Sequence, residues 1–261
     1  MTKVEPLVIK LAETRLEEKG VQDFAKFYGA TDWLNRVRPA QTNDGEFLIE
    51  LAGRSCYKSF GLGLNPNVTR IREDSRDYLT NVLQKGDGSV LEHATVTFAF
   101  LNVSRIMTHE LVRHRAGTAI SQESLRYVRP REVNVWVPPD IQSASKEFQE
   151  TVEVITKHYR DLEALFDWDE MSFEQKKRVT SALRRILPDG IATNIIWTAN
   201  HRTIRWVVEM RTDPAAEIEI RKVFGKVAEI CIQDYPNLYA DFTRIELPDG
   251  TAQYSPKFSK V

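Results

Sequence analysis

Residues 94–104 (ATVTFAFLNVS) and 191–200 (IATNIIWTAN) contain no charged side chain, in a sequence where 28% of all residues are charged. Both are rich in β-branched and aromatic residues and alternate loosely, so they read as strands covered on both faces. Residues 133–137 (VNVWV), stopped by Pro138 and Pro139, read as a third, shorter strand nearer a sheet edge. Helical signals lie between and around these strands. Ser104 is placed to cap a helix running to about Arg113. Ser172 and Gln175 form a capping box ahead of Val179, Ala182, Leu183 and Ile186, and Pro188 ends that helix. Asp213 and Pro214 read as the start of a helix whose Ile220, Val223, Phe224, Val227, Ile230 and Cys231 make one apolar stripe, which puts Cys231 in the core. Two further helices are predicted over about 72–83 and 145–165. Strands mixed with this many helices give an α/β fold of the α+β type.

A chain of 261 residues holds one large or two small domains, and no repeat or low-complexity linker divides it. The formal charge of −1 gives no global attraction to nucleic acid or an anionic membrane, so any basic site is local. Two cysteines, Cys56 and Cys231, without a CxxC, argue against a disulfide scaffold and a zinc-thiolate site. No apolar stretch reaches transmembrane length and no secretory leader is seen, so a soluble cytoplasmic protein without a membrane partner is expected.

The local basic site is in residues 103–131, where Arg105, Arg113, Arg115, Arg126, Arg129 and Arg131 face only Glu110 and Glu123. Arg113-His114-Arg115 precedes Ala116-Gly117-Thr118-Ala119 and then Ser121-Gln122-Glu123-Ser124, a flexible loop with many donors. Arginine forks match phosphate and carboxylate oxygens, so a phosphorylated small molecule fits better than a duplex, and no nucleic-acid partner is expected. Helical side chains project about 100° apart, so three consecutive residues cannot converge on one small anion. Either the helix ends before them or they grip an extended ligand or more than one, such as an adenine dinucleotide beside a nucleotide. His109 and His114 are five residues apart, which turns them about 140° away from each other, so no zinc pair is read and no metal is expected. Gly61-Leu62-Gly63 lacks the third glycine of a dinucleotide fingerprint. A second constellation, Asn200-His201-Arg202, follows the second uncharged strand. Beyond it Ile204, Val208 and Arg211 share one helical stripe, where a guanidinium needs either an acidic partner from the fold or a polar ligand edge. Arg205, four residues before Glu209, reads as half of a surface pair.

Together these residues resemble the flavin-dependent thymidylate synthase family. The resemblance is carried by Arg113-His114-Arg115, eight intervening residues, Ser124 and Arg126-Tyr127. Residues 46–59 (EFLIELAGRSCYKS), 89–93 (SVLEH), Leu187-Pro188, and Asn200-x-Arg202 with Arg211 also match family blocks in order. A catalytic domain over 45–245 is thereby implied, with 1–44 as an N-terminal extension and 246–261 as a tail. The resemblance also implies a central antiparallel sheet flanked by helices, and a homotetramer with sites shared between subunits. The reaction it implies is reductive methylation of dUMP to dTMP, with methylenetetrahydrofolate as carbon donor, FAD as hydride relay and NADPH as reductant. By position it implies that Ser89, Arg113, His114, Arg115, Gln122, Asn200 and Arg202 contact FAD. It likewise implies that Glu110, Arg113, Gln122, Glu123, Ser124, Leu125, Arg126, Arg184 and Arg211 form the dUMP site. Arg211 is the implied catalytic group, polarising the uracil ring where the other class of thymidylate synthase uses a cysteine.

The chain departs from the family pattern in places. The signature spacing is eight residues where seven is usual, Asp87 stands for a histidine, Glu110 for a glutamine, and Trp206 and Ala215 for polar residues. Arg184 projects about 140° from the 179–186 stripe, toward a partner subunit, a cleft or solvent. The alternatives are a flavin or nucleotide enzyme with a changed substrate, and an RNA-binding protein using the 103–131 cluster.

Overall fold

The computed structural model describes residues 2–38 and 43–259. Its centre is a four-stranded antiparallel sheet in the order β1 (Leu7–Glu13), β2 (Thr95–Ser104), β4 (Ala192–Asn200), β3 (Thr118–Gln122). The two uncharged segments are the inner pair, with Phe98 opposite Trp197. A hairpin of β5 (Phe242–Glu246) and β6 (Ala252–Pro256) stands apart from that sheet. Helices α1 (Glu18–Phe27), α2 (Thr31–Val37) and α3 (Asp44–Tyr57) enclose a small core around Trp33, Phe47 and Phe60. Then come α4 (Ser75–Lys85), α5 (Arg105–Leu111), α6 (Ser145–Glu163), α7 (Phe173–Leu183), α8 (His201–Arg211), α9 (Ile218–Asp234) and the short α10 (Pro236–Tyr239).

The main core lies between one face of the sheet and the helices α4, α8, α9 and α10. Phe98, Phe100, Trp197 and Phe224 are wholly buried there, with ring centroids 5.5–6.3 Å apart. Truncating any one of these rings costs about 3–5 kcal/mol. Cys231 is buried in the same core, as its helical stripe predicted.

The opposite face of the sheet corrects the expectation of strands covered on both sides. Leu7, Ile9, Leu11 and Ile196 are 38–52% exposed there. Ile9, Ala99, Ile196 and Ser121 lie in one row across all four strands. The lack of charge on that face is therefore not explained by any cover within this chain.

Other expectations shift at their ends. Residues 133–137 form no strand: Val135 makes single bridges to Lys3 and Ile191, because Pro138 withdraws a donor and neither neighbour runs alongside for a second pair. Val133, Val135 and Val137 are nonetheless buried, against Val152 of α6 and Ile191. Asp213 and Pro214 sit in a turn, with Asp213 Oδ1 accepting the Ala215 N–H at 2.9 Å. The helix starts later, where Glu217 accepts the N–H groups of Glu219 and Ile220 at 2.8 and 3.3 Å. The Ser172–Gln175 capping box is present on α7, but of its apolar stripe only Leu183 is buried; Ala182 and Ile186 face solvent.

Arg205 also departs from its expected surface pairing. It is buried and forked onto Asp241 at 2.7 and 2.9 Å, while Nη2 also donates to the Phe258 carbonyl at 3.1 Å. Glu209 instead accepts the Ser259 hydroxyl at 2.8 Å. A bidentate carboxylate in a buried setting outcompetes an exposed helical neighbour. The result ties the last described residues to α8. The first strand, β1, comes from residues 1–44, and the β5–β6 hairpin spans position 245.

Candidate active site

The site begins where β2 passes into α5. Ser104 caps that helix, its Oγ accepting the Met107 N–H at 3.1 Å. The buried Glu219 of α9 accepts from the Ser104 N–H at 2.6 Å and from its hydroxyl. Burial pushes the Glu219 carboxyl up to about 7. Helix α5 stops at Leu111, so Arg113, His114 and Arg115 lie in the following turn, where successive side chains can fan out. That turn is stitched to the start of α8. Asn200 caps α8 by accepting the Thr203 N–H at 2.9 Å, while its own N–H donates to the Gly117 carbonyl at 3.1 Å. The Thr203 hydroxyl donates to the Ala116 carbonyl at 2.8 Å.

Between this turn and α8 lies a cleft of about 530 Å³, lined by Glu92, residues 113–117, Asn200, Arg202, Thr203 and Trp206. Gly117 is held at φ +66°, and a Cβ there would come within 2.6 Å of the Thr203 hydroxyl. Only glycine fits this left-handed position at such close approach. Arg202 pairs with Glu92 at 2.6 Å across the mouth.

Arg211 ends α8, where the helix carbonyls favour a cation. Its Nε donates to His114 Nε2 at 2.7 Å, Nη1 to Glu110 Oε2 at 2.9 Å, and Nη2 to the Glu110 carbonyl at 3.2 Å. Of the two partners that the apolar stripe allowed, an acidic residue or a ligand edge, the fold supplies the first in Glu110. His114 is pushed down to about 4 by burial and by the adjacent guanidinium, so its ring is neutral at pH 7.

Residues 40–237 match the sequence family described as thymidylate synthase complementing protein. The chain is 34% identical over 228 residues to the flavin-dependent thymidylate synthase of Corynebacterium diphtheriae, covering 84% of this chain and 86% of that one. It is also 34% identical over 231 residues to the enzyme of the same name from Mycobacterium tuberculosis, covering 85% and 90%. This chain belongs to the flavin-dependent thymidylate synthase family. Its mixed fold, an antiparallel sheet flanked by helices, is the one that the family resemblance implied.

Of the positions that the flavin-dependent thymidylate synthase signature marks for FAD, the structure gathers Arg113, His114, Arg115, Asn200 and Arg202 around one cleft. Ser89 lies exposed on the short 3-10 helix Gly88–His93, outside that lining. Gln122, at the end of β3, donates to the Thr108 hydroxyl at 3.2 Å, two residues from Glu110. The marked dUMP positions fall into two groups. Glu110 and Arg211 are bonded to each other, with Gln122 near them. Glu123 instead accepts from Asn194 at 2.9 Å, the Ser124 hydroxyl accepts the Arg126 N–H at 3.3 Å, and Leu125 packs beside the Val133–Val137 cluster. Arg184 is half-buried in the 3-10 turn Arg184–Ile186. No hydrogen bond or ion pair among the described residues joins Ser124, Arg126 or Arg184 to Arg211.

Glu92, Thr203 and Trp206 line the cleft without having been singled out as site residues. Thr203 was findable as the third residue after an Asn cap, and Glu92 lies within residues 89–93, one of the blocks that carry the family resemblance. Neither cysteine lines the cleft. Cys56 is exposed on α3, its thiol donating to the Ala52 carbonyl at 3.4 Å, and burial pushes the Cys231 thiol up to about 12. Three arginines and a close-approaching backbone beside an open indole suit an extended anion that also carries a planar ring. A flavin dinucleotide has that chemistry. No helix among the described residues is long and apolar enough to cross a membrane.

Proposed function

We propose that this chain converts dUMP to dTMP by reductive methylation, as a cytoplasmic homotetramer. In sum, dUMP, methylenetetrahydrofolate, NADPH and a proton become dTMP, tetrahydrofolate and NADP⁺. The observation that carries the reading is the Glu110–Arg211–His114 cluster, built at the edge of a cleft lined by arginines. In this reading Arg113, Arg115 and Arg202 hold the FAD phosphates, with Asn200 and the 113–117 backbone shaping their seat. Bound there, FAD supplies the hydride relay between NADPH and the one-carbon unit.

Arg211 acts on the pyrimidine. Five N–H groups belong to a guanidinium and three are used by Glu110 and His114, leaving two for a carbonyl edge. A fixed positive group at the O4/N3 edge favours the ionised form of the ring, in which the N3 proton has gone to solvent and the negative charge is shared with C5, making C5 a better nucleophile with no cysteine adduct. The positions of the two cysteines support this reading. His114, neutral and accepting from Arg211, fixes the guanidinium plane without a competing charge. Gln122 serves from the same chain, bonded to Thr108 two residues from Glu110, and Ser89, Glu123, Ser124, Leu125, Arg126 and Arg184 complete the sites from a neighbouring subunit. That no bond among the described residues joins Ser124, Arg126 or Arg184 to Arg211, together with the exposed apolar sheet face, supports a shared site.

The test is a visible spectrum of the protein with FAD while dUMP is titrated in. A bound-flavin spectrum that shifts saturably with dUMP is expected. Bound flavin indifferent to dUMP would mean a changed substrate and overturn the assignment.

A further inference from the structure

We propose that Trp206 is the stacking surface for a planar ring of the dinucleotide in the cleft between the 113–117 turn and α8. This rests on the flavin reading above. Trp206 stands one helical turn beyond Arg202, on the same side of α8, and both line the cleft. It is 46% exposed, whereas Trp33 and Trp197 are buried. Among the described residues its ring meets no other aromatic ring or cation, and its indole N–H has no hydrogen-bond partner. Several other exposed or half-exposed rings are matched within the chain: Tyr127 stacks on Phe173 at 6.3 Å, and Arg129 lies over the half-buried Trp168 at 3.9 Å; Tyr57, exposed and unmatched among the described residues, lines no part of this cleft.

An indole is the largest apolar surface a side chain offers, and leaving it open beside guanidinium groups has no return in the chain's own packing. The same arrangement is what a ligand with both phosphates and a heteroaromatic ring requires. Guanidinium groups take the phosphates, and a flat ring takes a flat ring. A bare phosphate or a folate-free sugar phosphate gains nothing from the indole. On the flavin reading of this cleft, the ring seated on it is the isoalloxazine or the adenine, both of which FAD carries.

The experiment measures dissociation constants of FAD, FMN and ADP for the full-length protein and its Trp206→Ala and Trp206→Phe variants, by equilibrium filtration. The indole's emission, taken as the difference between wild type and Trp206→Phe, is followed in parallel. Trp206→Ala is expected to weaken FAD about tenfold or more, Trp206→Phe to recover most of that, and FAD to quench the Trp206 emission. Weakened FMN with unchanged ADP assigns the isoalloxazine, and the reverse assigns the adenine. Wild-type affinity for FAD in a folded Trp206→Ala variant overturns the inference while leaving the flavin reading intact. A wild-type protein that takes up no FAD overturns both.

Discussion

Arg211 is held from two directions by neighbours that differ in what they cost. Glu110 shares its charge, so the pair presents a weaker field than a lone guanidinium; His114 only orients it. Both carboxylate and guanidinium keep a fifth or more of their surface in water, so the pair contributes less than about 1 kcal/mol to stability. Arg211→Ala is accordingly expected to fold, keep FAD and lose dTMP formation by at least about 100-fold, the scale of losing a preorganised electrostatic group. Near-normal turnover in that variant, measured by folate-dependent methyl transfer, would remove Arg211 from the mechanism. The same variant has a second readout in His114. With the guanidinium gone, the imidazole pKa rises from about 4, while burial, the larger cause, still holds it below 6.5. Ring-proton NMR follows this directly. The sign for stability is that of a depressed base: the unfolded chain takes up the proton first, so wild-type stability falls as pH drops from 6.5 through 4.

The junction of β2, α5 and α9 decides where the site residues stand. Asn102 has φ +56° just before the strand ends, and Ser104 then starts α5 over the carboxylate of Glu219. Glu219 has its pKa raised from 4.5 to about 7, so the native state holds a proton that the unfolded chain has released. Its contribution is complete below pH 4.5 and is lost as pH rises through 7, amounting to about 3 kcal/mol across that window. Glu219→Gln is expected to abolish this slope, gaining on wild type as pH rises from 4.5 to above 7 in denaturant melts. Parallel curves for the two proteins would show that the carboxyl does not titrate there. Little of this junction was legible beforehand. Ser104 was, because a cap is a local pattern, and so were the inner strands and the stripe of α9. The partners that matter lie far away in sequence: Glu219 under Ser104, Asp241 on Arg205, Glu110 on Arg211. Residues 7–13, 118–122 and 252–256 escaped notice because they are short and carry polar or exposed residues that packing, not periodicity, recruits into sheets. The turn at 113–117 was one of two readings the sequence allowed, since three consecutive basic side chains either leave the helix or grip an extended ligand or more than one.

At the scale of the whole molecule, one sheet face is packed and the other carries an open row of apolar side chains. If subunits meet on that face, Ile9→Glu and Ile196→Glu each place a charge at the contact and are expected to shift the assembly toward smaller species in analytical ultracentrifugation, with a parallel loss of activity. Oligomers unchanged by both variants would locate the contact elsewhere. The strand order carries a further consequence for how the protein comes into being. Thr97 and Thr198, whose hydroxyls meet at 2.9 Å, are 101 residues apart, and Leu7 waits for Leu101. As the chain emerges from a ribosome, its earliest strand has no partner until β2 follows, and β2 has no inner neighbour until β4 is made. Long-range pairing of this kind is slow, and for that interval the apolar edge of β2 is open to any other nascent strand. Growth temperature and chaperone supply should therefore govern the yield of this protein more than the stability of its finished sheet.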